Sequence, residues 1–186
     1  MPLARLHAPF EHPDWIFEPK LDGFRAVLYI EAGTARLVSR KGNTLKSFPH
    51  LTRALAESLP GVAILDGEIV CLGPDGKPLF YDLMRRRRPQ HYYAFDLLWR
   101  DGEDLRGLPL IQRKRRLREL QAGLGPLLYV DHVAGSGVEL FEAVCAGDME
   151  GIVAKLAGGL YAPEATTSGE DQEPRVLAGR GARRVL

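Results

Sequence analysis

The chain has 186 residues, of which 45% are hydrophobic and 26% are charged, and its formal net charge is +1. This length predicts one domain with a short tail, and no apolar stretch approaches the ~20 residues that a membrane span requires, so we expect no membrane partner. The N-terminal residues lack the apolar core of a signal peptide, and two cysteines cannot build a disulfide framework, which predicts a cytoplasmic location.

Hydrophobic periodicity predicts many strands and a few helices. Strands are expected at residues 15–20 and 24–30, joined by a turn at Asp22-Gly23. The remaining predicted elements are, in chain order, strand 35–39, helix 49–59, strand 62–72 with an interruption at residues 66–68, a turn at 73–76, strand 91–99, helix 110–120, strand 127–130, helix 138–146 and strand 151–156. This succession predicts an α+β domain of antiparallel sheets with flanking helices.

Positive charge is concentrated in residues 81–120, which contain eleven Lys and Arg residues against six Asp and Glu residues. The segment includes four consecutive arginines, Arg85, Arg86, Arg87 and Arg88. Concentrated arginine indicates a phosphate-rich partner, although a solvated helix face is the commoner explanation for any single run. In the helix at 110–120 we expect Leu110, Leu117 and Leu120 to face the core and the basic residues to face solvent.

Residues 20–25 read Lys-Leu-Asp-Gly-Phe-Arg, which brings an amine, an acid, a glycine and a fixed cation together in six positions. A surface strand that ends in an Asp-Gly turn is one interpretation of this segment. A nucleophilic lysine is the other, because a deprotonated lysine amine forms covalent intermediates. Lys20 needs a nearby base, or burial beside other cations, to reach that state.

Four further polar clusters follow in the chain. They read Ser-Arg-Lys-Gly at residues 39–42, Asp-Gly-Glu at 66–68, Tyr-Ala-Phe-Asp-Leu-Leu at 93–98 and Glu-Gly-Ile-Val-Ala-Lys at 150–155. Singly, each is explained by a turn, a core aromatic residue or the ends of a strand. A buried strand, however, does not hold an Asp and a Glu around a glycine without a partner for their charge. Taken together and in this order, the clusters favour a functional interpretation.

The order and the residue sequences of these motifs resemble those of the covalent nucleotidyltransferases, the family of ATP-dependent polynucleotide ligases and mRNA-capping enzymes. The resemblance runs from about residue 9 to residue 167. The sequences of residues 95–98 and 150–155 are most similar to those of bacterial ATP-dependent DNA ligases of the end-joining type. It implies an α+β, ATP-grasp-like ligase adenylation core over residues 1–167. The implied reaction attaches AMP to Lys20 with release of pyrophosphate. AMP then passes to a DNA 5′-phosphate, and the adjacent 3′-hydroxyl displaces it to seal the nick.

The resemblance also implies roles for single residues. Lys20 is the catalytic nucleophile, Phe95 stacks on adenine and Glu68 contacts the ribose. The implied nucleotide-binding residues are Glu18, Lys20, Leu21, Arg25, Glu68, Phe95 and Lys155. Mg²⁺ is expected with ATP because negative charge gathers on phosphoryl oxygens in the transition state, and Glu150 is the first candidate metal ligand, with Glu68 as the second.

The implied partner is nicked or broken double-stranded DNA, together with end-joining repair proteins. A guanidinium group binds two phosphate oxygens at once, so Arg40 is expected to meet the 5′-phosphate of the broken strand. The implied DNA-binding residues are Arg40, Lys41, Arg85, Arg86, Arg87 and Arg88.

Two other functions stay open at this point. An RNA ligase or capping-type guanylyltransferase uses the same core, and the nucleotide that becomes attached to the protein separates GTP users from ATP users. A catalytically silent nucleotide- or nick-binding domain is stabilised by ATP without forming covalent AMP. NAD-dependent ligases carry an extra N-terminal module, and because nineteen residues precede Lys20, ATP is the expected donor.

The segment at residues 168–186 departs from the family pattern. These ligases follow the 150–155 motif with a Lys-x-Lys pair, but Lys155 is the last lysine of this chain. The segment is rich in Gly, Arg and Glu without periodicity, which predicts a disordered tail. One nucleotide sequence that can encode residues 168–174 would encode Arg-Val-Lys-Ile-Lys-Asn if it were read one nucleotide later. This shifted reading contains a Lys-x-Lys pair. We therefore hypothesise that the segment is the product of a frameshift in a gene that once encoded the pair. The missing cations predict weak or absent self-adenylylation. We expect this chain to lack the oligonucleotide-binding barrel that most DNA ligases carry.

Overall fold

The computed structural model describes residues 4–5, 8–120, 125–162 and 175–178. Its helices are α1 (Pro49–Ser58), α2 (Phe80–Arg85), α3 (Leu110–Leu120) and α4 (Gly137–Ala146). Its strands are β1 (Ala4–Arg5), β2 (Glu11–Pro19), β3 (Phe24–Glu31), β4 (Thr34–Ser39), β5 (Ala63–Cys71), β6 (Gln90–Arg100), β7 (Glu103–Asp104), β8 (Leu127–Tyr129), β9 (Val133–Ser136), β10 (Gly151–Leu156) and β11 (Arg175–Ala178). The chain divides into two units: unit 1 comprises Met1–Leu21 and Asp131–Leu186, and unit 2 comprises Asp22–Val130.

Unit 2 is built around a six-stranded sheet. Its main path is antiparallel in the order β4-β3-β5-β6-β7, and β8 pairs with β6 in parallel. Alternate residues of the central strands, such as Leu28 on β3 and Leu65 on β5, are fully buried. Leu55 of α1 and Leu117 of α3 join the same apolar cluster. One core, stabilised by the removal of apolar surface from water, therefore connects the sheet to both helices.

Unit 1 contains a five-stranded sheet in the order β1-β11-β10-β2-β9. β10 is antiparallel to β2, with Ala154 opposite Phe17 and Val153 opposite Glu18. Phe17 and Ala154 pack with Val144 of α4 in a separate apolar cluster. Because side chains alternate between the two faces of a strand, Glu18 and Val153 lie on the opposite face of the sheet.

The segment Asp22-Gly23 does not form the predicted hairpin turn. β2 lies in the sheet of unit 1 and β3 in the sheet of unit 2, so the two strands are not partners. A Cβ atom on Gly23 would overlap the backbone oxygen of Ile69 in β5. This position requires glycine because another strand approaches it closely, and its φ angle is not positive.

Strand β5 continues through Asp66-Gly67-Glu68, where the sequence predicted an interruption. The pairing with β6 shifts in register between Asp66 and Gly67. A Cβ atom on Gly67 would overlap the backbone oxygen of Tyr93 and crowd the ring of Tyr92. Gly67 was predicted to interrupt the strand, but its missing side chain is what allows β6 to approach β5 closely.

Most other predicted elements agree with the structure to within a few residues. The predicted turn at 73–76 is confirmed by a hydrogen bond from Gly76 N to Gly73 O of 3.0 Å and by the positive φ of Gly76, 76°. The elements β1, α2, β7 and β9 were not predicted, because each is too short to show a full hydrophobic period. No helix in the described part of the chain is long and apolar enough to cross a membrane.

Helix α3 buries two of the basic residues that were expected to face solvent, although Leu117 faces the core as predicted. Arg113 is 2% exposed, and its Nε and Nη2 donate to the carboxylate oxygens of Asp96 at 2.8 and 2.9 Å. Lys114 is fully buried, and its Nζ donates to Val130 O at 2.8 Å. The prediction was wrong because helical periodicity does not reveal a buried acid or a carbonyl on another element, and these acceptors draw the cations inward.

The prediction of a disordered tail is wrong for four of its residues. Arg175–Ala178 forms β11, which pairs antiparallel with β10 and parallel with β1. The strand obtains backbone hydrogen bonds from neighbours on both sides, so sheet pairing outweighs the weak local signal of its sequence. The other residues of the tail, 168–174 and 179–186, lie outside the described residues.

Replacement of Arg113 by alanine is expected to lower the free energy of unfolding by about 3–5 kcal/mol, because it leaves Asp96 buried without its cation. Arg116→Ala is a matched control on the same helix: the exposed pair of Arg116 with Glu103, at 2.6 Å, contributes less than about 1 kcal/mol. Urea unfolding followed by circular dichroism measures both losses. Equal losses in the two variants would contradict a special role for the buried pair.

Candidate functional site

The ends of β2 and β10 collect charged side chains of both signs. Glu18 on β2 is almost fully buried, with a side chain that is 3% exposed. It lies opposite Val153, and Lys155 follows two positions further along β10 on the same face. Lys155 Nζ donates to Glu18 Oε2 at 2.6 Å. The register of the two strands therefore brings these predicted nucleotide-binding residues together as an ion pair.

A second ion pair forms at the end of β2. Lys20 directly follows the strand, and its backbone N donates to Gly151 O at 2.8 Å. This hydrogen bond places Lys20 beside Glu150, which precedes β10, and Lys20 Nζ pairs with Glu150 Oε1. The two side chains are 23% and 32% exposed, so their attraction is less screened than on an open surface. The predicted nucleophile and the first predicted metal ligand are thus in direct contact.

The second carboxylate oxygen of Glu150 is unusual. Glu150 Oε2 is buried and has no hydrogen-bond partner among the described residues. A buried carboxylate oxygen without a partner is costly, which favours occupation by a donor or a cation. Mg²⁺ accepts oxygen ligands and is commonly held by one or two carboxylates together with substrate phosphates. The chemistry of the Glu150 carboxylate therefore fits a Mg²⁺ ligand.

The described residues do not include a complete metal site. No group of three or more His, Cys, Asp and Glu side chains in this part of the chain is arranged to hold an ion. Glu68, the second predicted metal ligand, lies on β5 in unit 2, half-buried and opposite Arg25 and Tyr93. Among the described residues, protein carboxylates alone therefore do not form a metal cage.

Arg25 contacts a buried acid and an aromatic ring within unit 2. Its Nη2 and Nε donate to the carboxylate of Asp66 at 2.7 and 3.2 Å, and Asp66 is 1% exposed. Its guanidinium carbon also lies 5.3 Å from the centroid of the Phe95 ring, within the range of a cation–π interaction. Arg25 therefore neutralises a buried acid and fixes the aromatic ring that was predicted to stack on adenine.

Two buried acids face each other on neighbouring strands of unit 2. Asp66 on β5 is directly opposite Asp96 on β6, and each is paired with its own arginine, Arg25 and Arg113. Like charges directly opposite each other are destabilising, so both cations are needed. Arg113 was not among the predicted site residues, although an acid in the apolar stretch around Asp96 is a signal that a buried cation must exist.

A buried tyrosine supports the same strands. Tyr92 Oη donates to Ala26 O at 2.8 Å, with Leu65 O at 3.0 Å. Burial raises the pKa of Tyr92 well above its usual value, and the negative charge of Asp66 acts in the same direction. The phenol therefore stays protonated and keeps its role as a hydrogen-bond donor between β3, β5 and β6.

The predicted DNA-binding residues lie on exposed turns of unit 2. Arg40 and Lys41 occupy the turn after β4, which is closed by a hydrogen bond from Ser39 N to Asn43 O of 2.9 Å. The four predicted arginines that follow α2 or end it are all exposed, namely Arg85, Arg86, Arg87 and Arg88. Arg88 Nε donates to Asp82 at 2.8 Å, which orients one member of the run.

The predicted site residues are divided between the two units. Unit 1 contains Glu18, Lys20, Leu21, Glu150 and Lys155. Unit 2 contains Arg25, Arg40, Lys41, Glu68, Arg85, Arg86, Arg87, Arg88 and Phe95. Within unit 1 the strand register joins the lysines and glutamates in pairs, and within unit 2 Arg25 joins Phe95 to a buried acid that the sequence analysis had not connected with it.

Comparison with known proteins identifies relatives for most of the chain. Residues 4–169 match the family model of the ATP dependent DNA ligase domain. The chain is 36% identical over 156 residues to the multifunctional non-homologous end joining protein LigD of Pseudomonas aeruginosa, an alignment that covers 80% of this chain and 19% of that protein. It is 37% identical over 161 residues to a DNA ligase of Natronomonas pharaonis, with 78% of this chain and 29% of that protein covered.

A solved structure supports the same relationship. Mycobacterial DNA ligase D complexed with ATP and MES superimposes with a TM-score of 0.78 at 28% identity, covering 95% of this chain and 59% of that one. The chain spans about a fifth of the length of the LigD proteins, 19% and 21% in the first two. The predicted nucleotidyltransferase fold and the predicted similarity to end-joining ligases are confirmed. This chain belongs to the ATP-dependent DNA ligase domain family.

Proposed function

We propose that this chain transfers AMP from ATP to Lys20 and then to the 5′-phosphate of a DNA break, as the adenylation domain of an ATP-dependent DNA ligase. The observation that carries the proposal is the contact of Lys20 Nζ with Glu150 within a domain of this family. The second carboxylate oxygen of Glu150 is buried and has no partner in the part of the chain that the structure describes. An amine beside an incompletely satisfied carboxylate suits nucleophilic attack on a metal-bound phosphate.

The first step joins the Lys20 amine to the α-phosphorus of ATP. The Lys20 ammonium gives up a proton to the Glu150 carboxylate with which it is in contact. Its nitrogen lone pair then forms the N–P bond, and the bond from phosphorus to the pyrophosphate oxygen breaks, so that pyrophosphate leaves with the bonding electrons. Glu150 Oε1 holds the ammonium and orients it before the attack. The Lys155 ammonium, fixed by Glu18, is a preorganised cation for charge that develops on phosphoryl oxygens.

We assign Mg²⁺ to Glu150, with Glu68 as the second candidate ligand. The bound ion neutralises negative charge on the phosphoryl oxygens of the nucleotide. Glu68 also contacts the ribose in this proposal, while Phe95 stacks on adenine, since aromatic rings stack on any base. Arg25 keeps the Phe95 ring in place through the cation–π contact. Leu21, which follows the nucleophile in the chain, contributes an apolar contact to the nucleotide.

The second and third steps act on DNA. The 5′-phosphate of the broken strand attacks the α-phosphorus of the Lys20 adduct, so the N–P bond breaks and AMP becomes joined to the DNA end. The adjacent 3′-hydroxyl then attacks that 5′-phosphate and releases AMP. Arg40 and Lys41, on an exposed turn, bind the 5′-phosphate, and the arginines from Arg85 to Arg88 bind the flanking backbone.

The biological setting follows from the relatives. Several of them are named non-homologous end joining proteins, so we propose that this domain acts on broken or nicked double-stranded DNA alongside end-joining repair proteins. We also propose a cytoplasmic location, since Cys71 and Cys145 are both free thiols.

Covalent AMP on Lys20 tests the proposed function. Incubation with α-labelled ATP and Mg²⁺, followed by a denaturing gel, is expected to label the wild-type chain weakly and Lys20→Ala not at all. Glu150→Gln removes the charge that holds the amine, so its label should fall below that of the wild type. Lys46→Ala, an exposed lysine in unit 2, is the control and should keep the wild-type label. Thermal stabilisation by ATP without any label would instead identify a silent nucleotide-binding domain.

Introduction of a Lys-x-Lys pair tests whether its absence is the reason for the weak AMP labelling that we expect of the wild-type chain. The double variant Glu170→Lys/Gln172→Lys places a Lys-x-Lys sequence where the shifted reading frame has one. Because a single preorganised donor at a transition-state charge contributes about 10²–10³ in rate, we expect labelling to accelerate by at least about 10². The control Glu170→Ala/Gln172→Ala removes the same side chains without adding cations. An equal rate in wild type and lysine variant would show that the pair is not what limits transfer.

The arginine run is expected to bind the DNA backbone without reading its sequence. Arg87→Ala should weaken binding to nicked duplex and reduce the slope of log K against log salt by about 1, because one phosphate contact and its counterion release are lost. Arg106→Ala is the control, since its guanidinium is held by Asp104 at 2.7 Å. Fluorescence anisotropy over a salt series measures both variants, and an unchanged slope for Arg87→Ala would exclude a phosphate contact there.

A further inference from the structure

An aromatic row in unit 2 leads from the core to the surface. Phe48, which is 4% exposed, lies 6.2 Å from Phe24 between ring centroids, and Phe24 lies 5.6 Å from Phe80. Phe80 in turn lies 6.3 Å from Tyr81 in an edge-on arrangement. The last ring of the row, Tyr81, is 62% exposed. The partly buried ring of Phe80 packs edge-on against Tyr81 and leaves most of Tyr81 open to solvent, so the structure presents an aromatic face there.

The surface around Tyr81 is apolar and strongly basic at once. Met84 lies one helical turn further along α2 and is 56% exposed, which makes two large exposed apolar side chains at a spacing of three residues. Four exposed arginines follow directly, and Asp82 orients the last of them, Arg88. We refer to Tyr81, Met84 and Arg85–Arg88 as the α2 platform.

The chemistry of the α2 platform suits one class of ligand. Rigid aromatic side chains next to a positively charged track are the usual means of binding single-stranded nucleic acid, because bases stack on the rings while cations contact the phosphates. A continuous duplex hides the faces of its bases inside the stack, so it offers phosphates to the arginines but no base to Tyr81. A strand end with unpaired nucleotides offers both.

We propose that the α2 platform binds unpaired nucleotides at a DNA end, with Tyr81 stacked on a base and the arginines on the flanking phosphates. The choice of DNA rests on the proposed function, whereas the preference for an unpaired strand rests on the exposure of Tyr81 beside the arginine run. The surface would give a break-joining domain a means to distinguish frayed or extended ends from closed duplex.

The test compares two fluorescein-labelled duplexes of the same sequence, one blunt and one with a short unpaired oligo-dT extension. Fluorescence anisotropy is expected to show that the wild-type chain binds the extended duplex at least about fivefold more tightly, as stacking of one base predicts. Tyr81→Ala should remove this preference and leave binding of the blunt duplex unchanged, while Tyr81→Phe should retain it. Leu160→Ala, an equally exposed apolar residue in unit 1, is the matched control and should behave as wild type.

The possible outcomes separate this inference from the proposed function. Equal binding of the two duplexes by the wild type, or a preference that survives in Tyr81→Ala, would overturn the platform, as would tighter binding of an oligo-rU extension than of oligo-dT. Covalent labelling of Tyr81→Ala with AMP is expected at the wild-type rate. If the wild type takes no label but Tyr81 still determines the preference for the extension, the proposed enzyme fails and the platform stands.

Discussion

The antiparallel pairing of β2 with β10 is the constraint on which the charged pairs of unit 1 depend. The hydrogen bond from Lys20 N to Gly151 O continues this pairing beyond β2, and it brings Lys20 to Glu150. The same register sets Glu18 beside Lys155. Because the side-chain period of a strand is two, a slip of one residue would turn the charged side chains onto the face that packs against α4. Backbone pairing, and not the attraction of the charges, therefore determines which lysine meets which glutamate.

The sheet of unit 2 depends on a different constraint, because each buried negative charge needs a positively charged partner. Asp66 and Asp96 are opposite each other on neighbouring strands, and Arg25 and Arg113 neutralise them from different elements. Such an arrangement is costly to desolvate, but the loss of any one partner is costlier still because it leaves a buried charge alone. The basic residues of the segment around α3 thus fall into two groups: Arg113 completes the core, and the arginines from Arg85 to Arg88 are exposed on the surface.

Much of the fold could be predicted because the motifs and the hydrophobic periods are local. The strands on either side of Lys20, the helix α1 and the strand β10 all lie close to where the hydrophobic periodicity predicted them. The prediction of a hairpin at Asp22-Gly23 was wrong because local turn residues do not show that the two successive strands belong to different sheets. The solvent-facing assignment of Arg113 and Lys114 failed for a related reason, since their acceptors lie on other elements. The strand Arg175–Ala178 depends on neighbours that are distant in the chain.

The sequence by itself determined the chemistry: which amine, acids and aromatic ring are available, in which order they occur, and that the lysine pair expected after Lys155 is absent. These properties depend on residue identity and spacing alone. Only the tertiary structure decided how the charges are paired, that Glu150 Oε2 has no partner within residues 8–120 and 125–162, and that Tyr81 is exposed at the end of an aromatic row. Pairing and burial arise from contacts between residues that are far apart in the chain, and strand register and core packing establish those contacts.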